Sequence, residues 1–122
     1  MNLRFAGALS AFVAVAAGAF GAHALKSRLT PELLTVFETG ARYHLVHALA
    51  LFMMGEAEAR EPGRGWASAG IAFLIGTMVF AGSLYALSLT GVRLWGAVTP
   101  LGGLALLIGW VLAARAAWRA SH

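Results

Sequence analysis

The sequence predicts an all-α polytopic membrane protein: an antiparallel bundle of four transmembrane helices forming one domain over residues 1–122. Three observations lead there. Of the 122 residues, 60% are apolar and only 11% are charged, against about a quarter charged in a soluble domain. Four long stretches are almost free of charge, and the Arg residues fall mainly at their ends, where basic side chains fix topology. A chain this short buries too small a fraction of its surface to hide so much apolar area in a water-soluble core.

Span 1 is the uncharged run 5–25, 21 residues long, which reaches about 30 Å as a helix, the thickness of the hydrocarbon core. Arg4 before it and Ala22-His23-Ala24 at its end imitate a signal peptide and its cleavage site, but three further spans follow, so a retained helix is expected.

Span 2 begins at Thr30-Pro31-Glu32, an N-cap hydroxyl, a proline in the first turn and an acid at the positive end of the helix dipole. Its uncharged stretch, 43–55, holds 13 residues, or about 20 Å, too little to cross. Crossing requires residues 36–56, which draws in Glu38 and Arg42. Their i, i+4 spacing, with the acid on the N-terminal side, predicts an ion pair near the headgroups.

The segment 56–64 (EAEAREPGR) carries five charges with Pro62 and Gly63 and reads as a solvated turn. Span 3 covers about 66–89 and stops before Gly91, a C-cap glycine. Span 4 covers 94–114, and Thr99-Pro100 predicts a kink within it rather than a start, since starting at Pro100 leaves 15 uncharged residues. Trp66, Tyr85, Trp95 and Trp118 fall near span ends, as an interfacial aromatic belt requires. Five basic groups on the side of the termini and second loop, against four on the other, place both termini in the cytoplasm. Small residues at four-residue spacing (Gly7 and Ala11; Ala14, Gly18 and Ala22; Ala72 and Gly76; Gly82 and Ala86), with Gly96, Gly102, Gly103 and Gly109, predict close helix packing.

The inventory is poor in reactive groups. Cys, Asp and Gln are absent, which removes thiolate chemistry and zinc–thiolate sites. No phosphate loop, catalytic dyad or ligand cluster occurs, so neither a catalytic residue, a metal site nor a cofactor is expected. Ser83 beside Tyr85 lacks a general base and orienting acid in the neighbouring sequence. The net charge of +4 is spread over span ends and argues against nucleic-acid binding.

The candidate polar cluster is therefore His23, Glu38, Arg42, Tyr43, His44 and His47. His44 and His47 share one face of span 2, and His47 lies near the bilayer centre. Intramembrane histidines serve as proton relays or as haem or metal ligands; alternatively, neutral imidazoles hydrogen-bond between helices, to Ser or Thr in spans 1 and 3. Depth favours the second reading, because His23 lies about 9 Å shallower than His44.

Four strings carry a family resemblance: 18–25 (GAFGAHAL), 42–51 (RYHLVHALAL), 82–85 (GSLY) and 99–103 (TPLGG). With them the chain resembles the domain-of-unknown-function 423 family of small, YgdD-like integral membrane proteins, over nearly its whole length. The resemblance implies a helical inner-membrane protein and no particular activity, and it adds weight to His23, Tyr43 and His47. Three functional readings follow: a non-enzymatic component that assists a membrane assembly, with a protein partner or a second copy; an oligomeric carrier or pore for a small solute or proton; and a haem- or quinone-associated redox subunit.

Overall fold

The computed structural model describes residues 1–121, and they are helical almost throughout. Helix α1 spans Leu3–Val15 and continues without a break through a wider π-helical stretch, Ala16–Gly21, into the short α2, Ala22–Leu25. Helices α3 (Pro31–Arg60), α4 (Trp66–Thr90) and α5 (Trp95–Ser121) follow. Three of these segments are long and apolar enough to cross a membrane: Leu3–Leu25, Trp66–Thr90 and Trp95–Ser121. Helix α3 is longer than any of them, but its charged ends, two histidines and Arg42 keep its hydropathy below theirs.

The helix ends follow from local sequence. Thr30 adopts an extended backbone and its hydroxyl accepts from the Leu33 amide at 3.2 Å, while Pro31 occupies the first turn. Asn2 caps α1 the same way, its side chain accepting from the Phe5 amide at 3.0 Å. Gly65 precedes α4 with φ of 105° and has no side chain to cap it. Glu58 takes over that task from α3: one carboxylate oxygen accepts from the Gly63 amide at 3.2 Å and the other from Ala67 at 3.1 Å. A carboxylate is well placed at a helix N-terminus, where amides lack acceptors and the dipole is positive. Gly91 ends α4 at φ 71°, its amide bonding to the Leu87 carbonyl at 2.8 Å.

Packing runs in chain order: α1 lies on α3, α3 on α4 and α4 on α5. Glycine makes two of these approaches possible. A Cβ on Gly7 would sit 2.5 Å from the Phe52 backbone nitrogen, and one on Gly102 would strike the Phe80 backbone. Gly76 meets Leu106 and Gly109 meets the Phe73 ring at comparably short range. The small-residue expectation fails elsewhere: Gly82 faces open space, and Gly18 has only the Ala41 methyl in reach at 3.8 Å. The buried cluster of Leu3, Leu51, Met54, Ala69, Phe73 and Leu106 joins all four long elements.

Helix α5 starts at Trp95 and continues through Pro100, so Pro100 is internal and the helix extends past residue 114 to Ser121. Arg4 reaches Glu56 at 3.4 Å, and Arg64 donates to the Arg119 carbonyl at 3.2 Å. The start of α1, the α3–α4 turn and the end of α5 therefore share one end of the structure.

Candidate functional site

Along α3 the residues Gly40, His44, His47, Ala48, Leu51 and Gly55 are buried, one stripe at spacings of three and four. Both histidines belong to this inward stripe, and each finds a partner for both ring nitrogens. His47 Nδ1–H donates to the Tyr43 carbonyl one turn back at 2.8 Å, and the Trp110 indole N–H of α5 donates to His47 Nε2 at 3.0 Å. Indole can only donate and a carbonyl can only accept, so the two bonds fix one neutral tautomer. The Phe73 ring completes the surround, 5.6 Å from the imidazole and 4.7 Å from the Trp110 ring.

His44 sits in a more permissive setting. Its Nε2 lies 3.0 Å from Ser10 Oγ on α1 and its Nδ1 lies 2.9 Å from the Tyr85 hydroxyl on α4. Hydroxyls donate and accept, so the Ser10–His44–Tyr85 chain is satisfied in either tautomer. Together the two imidazoles tie α3 to every other long helix.

The remaining candidates lie elsewhere. Tyr43 contributes its carbonyl to His47, while its half-exposed ring packs on Phe80 at 4.8 Å. His23, Glu38 and Arg42, joined by Lys26, line an open cleft of about 580 Å³ between the end of α1, α2 and the first half of α3. Glu38 and Arg42 do not form the expected ion pair: the salt bridges among the described residues are Arg4–Glu56, Arg60–Glu56 and Arg64–Glu61. On the helix surface an i, i+4 pair is worth only a few tenths of a kcal/mol, too little to fix two long side chains. Among the described residues no three His or Glu side chains converge on a common point.

One aromatic assignment from the sequence also changes. Tyr85 is an interior hydrogen-bond partner of His44 rather than a residue of an interfacial belt. Trp110 carried no role in the sequence reading, although an indole N–H placed mid-span among aliphatic residues signals a need for an internal acceptor. Ser83 is buried, with its hydroxyl 2.5 Å from Thr99 Oγ1 on α5 and donating to the Phe80 carbonyl at 2.9 Å. It serves packing between α4 and α5.

Residues 17–103 match the family model described as "Protein of unknown function (DUF423)". The chain belongs to this family. The DUF423 match covers most of the π-helical stretch, α2, α3, α4 and the start of α5, hence His23, Glu38, Arg42, Tyr43, His44 and His47 but not Ser10 or Trp110. Among its relatives, "UPF0382 membrane protein YwdK" of Bacillus subtilis (strain 168) is 43% identical over 107 residues, covering 87% of each chain. "UPF0382 inner membrane protein YgdD" of Escherichia coli (strain K12) is 39% identical over 105 residues, covering 86% of this chain and 80% of the relative. "UPF0382 membrane protein SERP0230" of Staphylococcus epidermidis is 40% identical over 107 residues. No solved structure matches the chain. The DUF423 relatives thus carry membrane-protein names, one of them inner-membrane, and the structure supplies helices of matching length.

Proposed function

We propose that this DUF423 chain crosses the membrane four times as one domain, with both termini in the cytoplasm, and acts as a rigid, non-enzymatic component of a larger membrane assembly. The four-span part rests on where α3 hides its polar groups. Its histidines face the interior, while Val46, Leu49, Phe52 and Met53, all exposed, give its outer face an aliphatic and aromatic surface suited to lipid. A helix flanked by α1 and α4 needs apolarity only where lipid touches it, so a modest overall hydropathy does not bar it from the bilayer. The faint excess of basic groups on the side of the termini supports their orientation.

The non-enzymatic role rests on one observation: both ring nitrogens of His44 and of His47 are already engaged within the chain. A haem or metal ligand needs a free nitrogen, and His47 has none to offer without breaking the bond from Trp110. The imidazoles act here as fasteners between helices. The exposed outer faces of the helices are then open to association with another membrane protein. Cross-linking in intact membranes, followed by extraction in a mild detergent, is expected to recover this chain with a stoichiometric partner protein. Recovery of the uncross-linked chain alone from both cross-linked and untreated membranes would overturn the assembly reading.

A further inference from the structure

The cleft beside the end of α1 stands apart from the histidine fasteners, and its lining is divided by depth. His23 and Lys26, from α2 and its continuation, stand at its outer end, Glu38 lies about level with Gly21, and Arg42 starts level with Gly18 at the upper edge of the floor, its side chain long enough to extend outward. Its floor is Ala14, Val15, Gly18 and Leu45. From Val15 to Lys26 the helical rise is about 16 Å, so the cleft runs from a charged rim well into the apolar part of the molecule.

Two further observations mark it. All four rim side chains are exposed, and none forms a hydrogen bond or ion pair with another described residue, whereas Glu56, Glu58 and Glu61 at the other end are all engaged. The α1 wall of the cleft is also the place where the helix widens: residues 16–21 adopt π geometry, with the Ala22 amide reaching back to the Ala17 carbonyl. Such a widening costs hydrogen-bond geometry and recurs at functional positions. Here it is built from small residues apart from Phe20, which is exposed and does not line the cleft (AAGAFG), so Gly18 and Ala19 border the cleft without filling it.

We infer that this cleft binds a single anionic phospholipid, its phosphate held at the rim by Lys26 and Arg42 and one acyl chain lying on the Ala14–Gly18–Leu45 floor. The inference rests on the four-span reading only in that α1 and α3 must share a bilayer. Charge complementarity selects the occupant. Leaving His23 aside, Lys26 and Arg42 set against Glu38 leave one net positive charge at the rim, which matches a phosphodiester headgroup of net charge −1 and not a zwitterion. Arg42 presents the planar fork suited to phosphate oxygens, and Lys26 a point charge beside it. An apolar floor leading away from those charges is what separates a lipid from free phosphate.

Native mass spectrometry of the full chain in a neutral detergent tests this, with phosphatidylglycerol, phosphatidylcholine, phosphatidylethanolamine and inorganic phosphate as probes. One phosphatidylglycerol is expected to be retained about tenfold better than either zwitterionic lipid. Lys26→Ala combined with Arg42→Ala lowers that retention by about 30-fold, at about 1 kcal/mol for each basic contact. Gly18→Leu, which fills the floor and leaves the rim charges alone, abolishes it. Glu38→Gln strengthens it, and Arg60→Ala at the opposite end leaves it unchanged. Circular dichroism and gel-filtration elution confirm that each variant is folded. Equal retention of the three lipids, equal retention by wild type and the Lys26/Arg42 variant, or displacement by millimolar inorganic phosphate would each overturn the proposal. The assay is done in detergent, so it gives the same answer whatever the topology, and its failure is distinguishable from failure of the four-span reading.

Discussion

Trp110 on α5 donates its indole N–H to His47 on α3 at 3.0 Å, although the principal packing of α5 is on α4. This single bond reaches past the immediate neighbour and, with the Tyr43 carbonyl, fixes the tautomer of the imidazole. Trp110→Phe keeps the ring contacts and leaves His47 Nε2 without its donor. Interhelical hydrogen bonds in membrane proteins average about 0.6 kcal/mol and reach about 1.7; with a buried acceptor orphaned, the loss should fall near the upper end. Unfolding in SDS–detergent mixtures reads it. A double-mutant cycle with His47→Ala should return a coupling of at least about 0.5 kcal/mol, and zero coupling would show that the bond is idle.

The glycines separate into those under compression and those facing open space. Gly102→Val drives a branched side chain into the Phe80 backbone and should cost several kcal/mol, enough to prevent recovery of folded protein. Gly82→Ala meets nothing within 4 Å and should be neutral or mildly stabilising through helix propensity. Thermal midpoints in detergent distinguish the two, and equal losses would contradict the packing described.

Topology is accessible because the chain contains no cysteine. Single thiols at Ser27→Cys and Glu61→Cys sit before and after α3, in exposed segments. With α3 crossing, a membrane-impermeant maleimide applied to sealed vesicles labels one position and not the other. Labelling of both from the same side would mean that α3 lies along the membrane rather than through it.

Glu58 tethers two amides across the α3–α4 turn, whereas Glu61 makes only an exposed contact with Arg64 at 4.0 Å. Glu58→Ala should therefore cost about 1 kcal/mol, as the loss of an N-cap does. Glu61→Ala should change stability by less than about 0.5 kcal/mol. Hydrogen exchange at Gly63 and Ala67 localises the effect.

What could be read from the sequence was local in origin. The start of α3 follows from Thr30 and Pro31, and the end of α4 from Gly91, because a cap is decided within four residues of chain. The shared face of His44 and His47 was also legible from their spacing, with Gly40 alongside them, although Tyr43, expected on the same face, keeps its ring half-exposed. Their partners were only half legible. Ser10 fits a hydroxyl from the first span, but Tyr85 and Trp110 depend on how far α4 and α5 slide along α3, which no local pattern encodes. The π-helical stretch was likewise invisible, because AAGAFG suits an ordinary helix equally well. Pairing Glu38 with Arg42 failed for an instructive reason: correct spacing creates an opportunity worth tenths of a kcal/mol, which the free movement of two long side chains outweighs.

Neighbour-by-neighbour packing has a consequence for biogenesis. Each long helix makes its main contacts with the one synthesised just before or just after it, so nearly all of these contacts can form by successive hairpins as the chain leaves the ribosome. Helix α3 is the exception in membrane affinity, since on its own it is a weak candidate for insertion. On the four-span reading it must be received by a partner already in place, with Gly7 and Ser10 of α1 offering the docking groove and the first hydrogen-bond partner for His44. The first helix is then an intramolecular chaperone for the second.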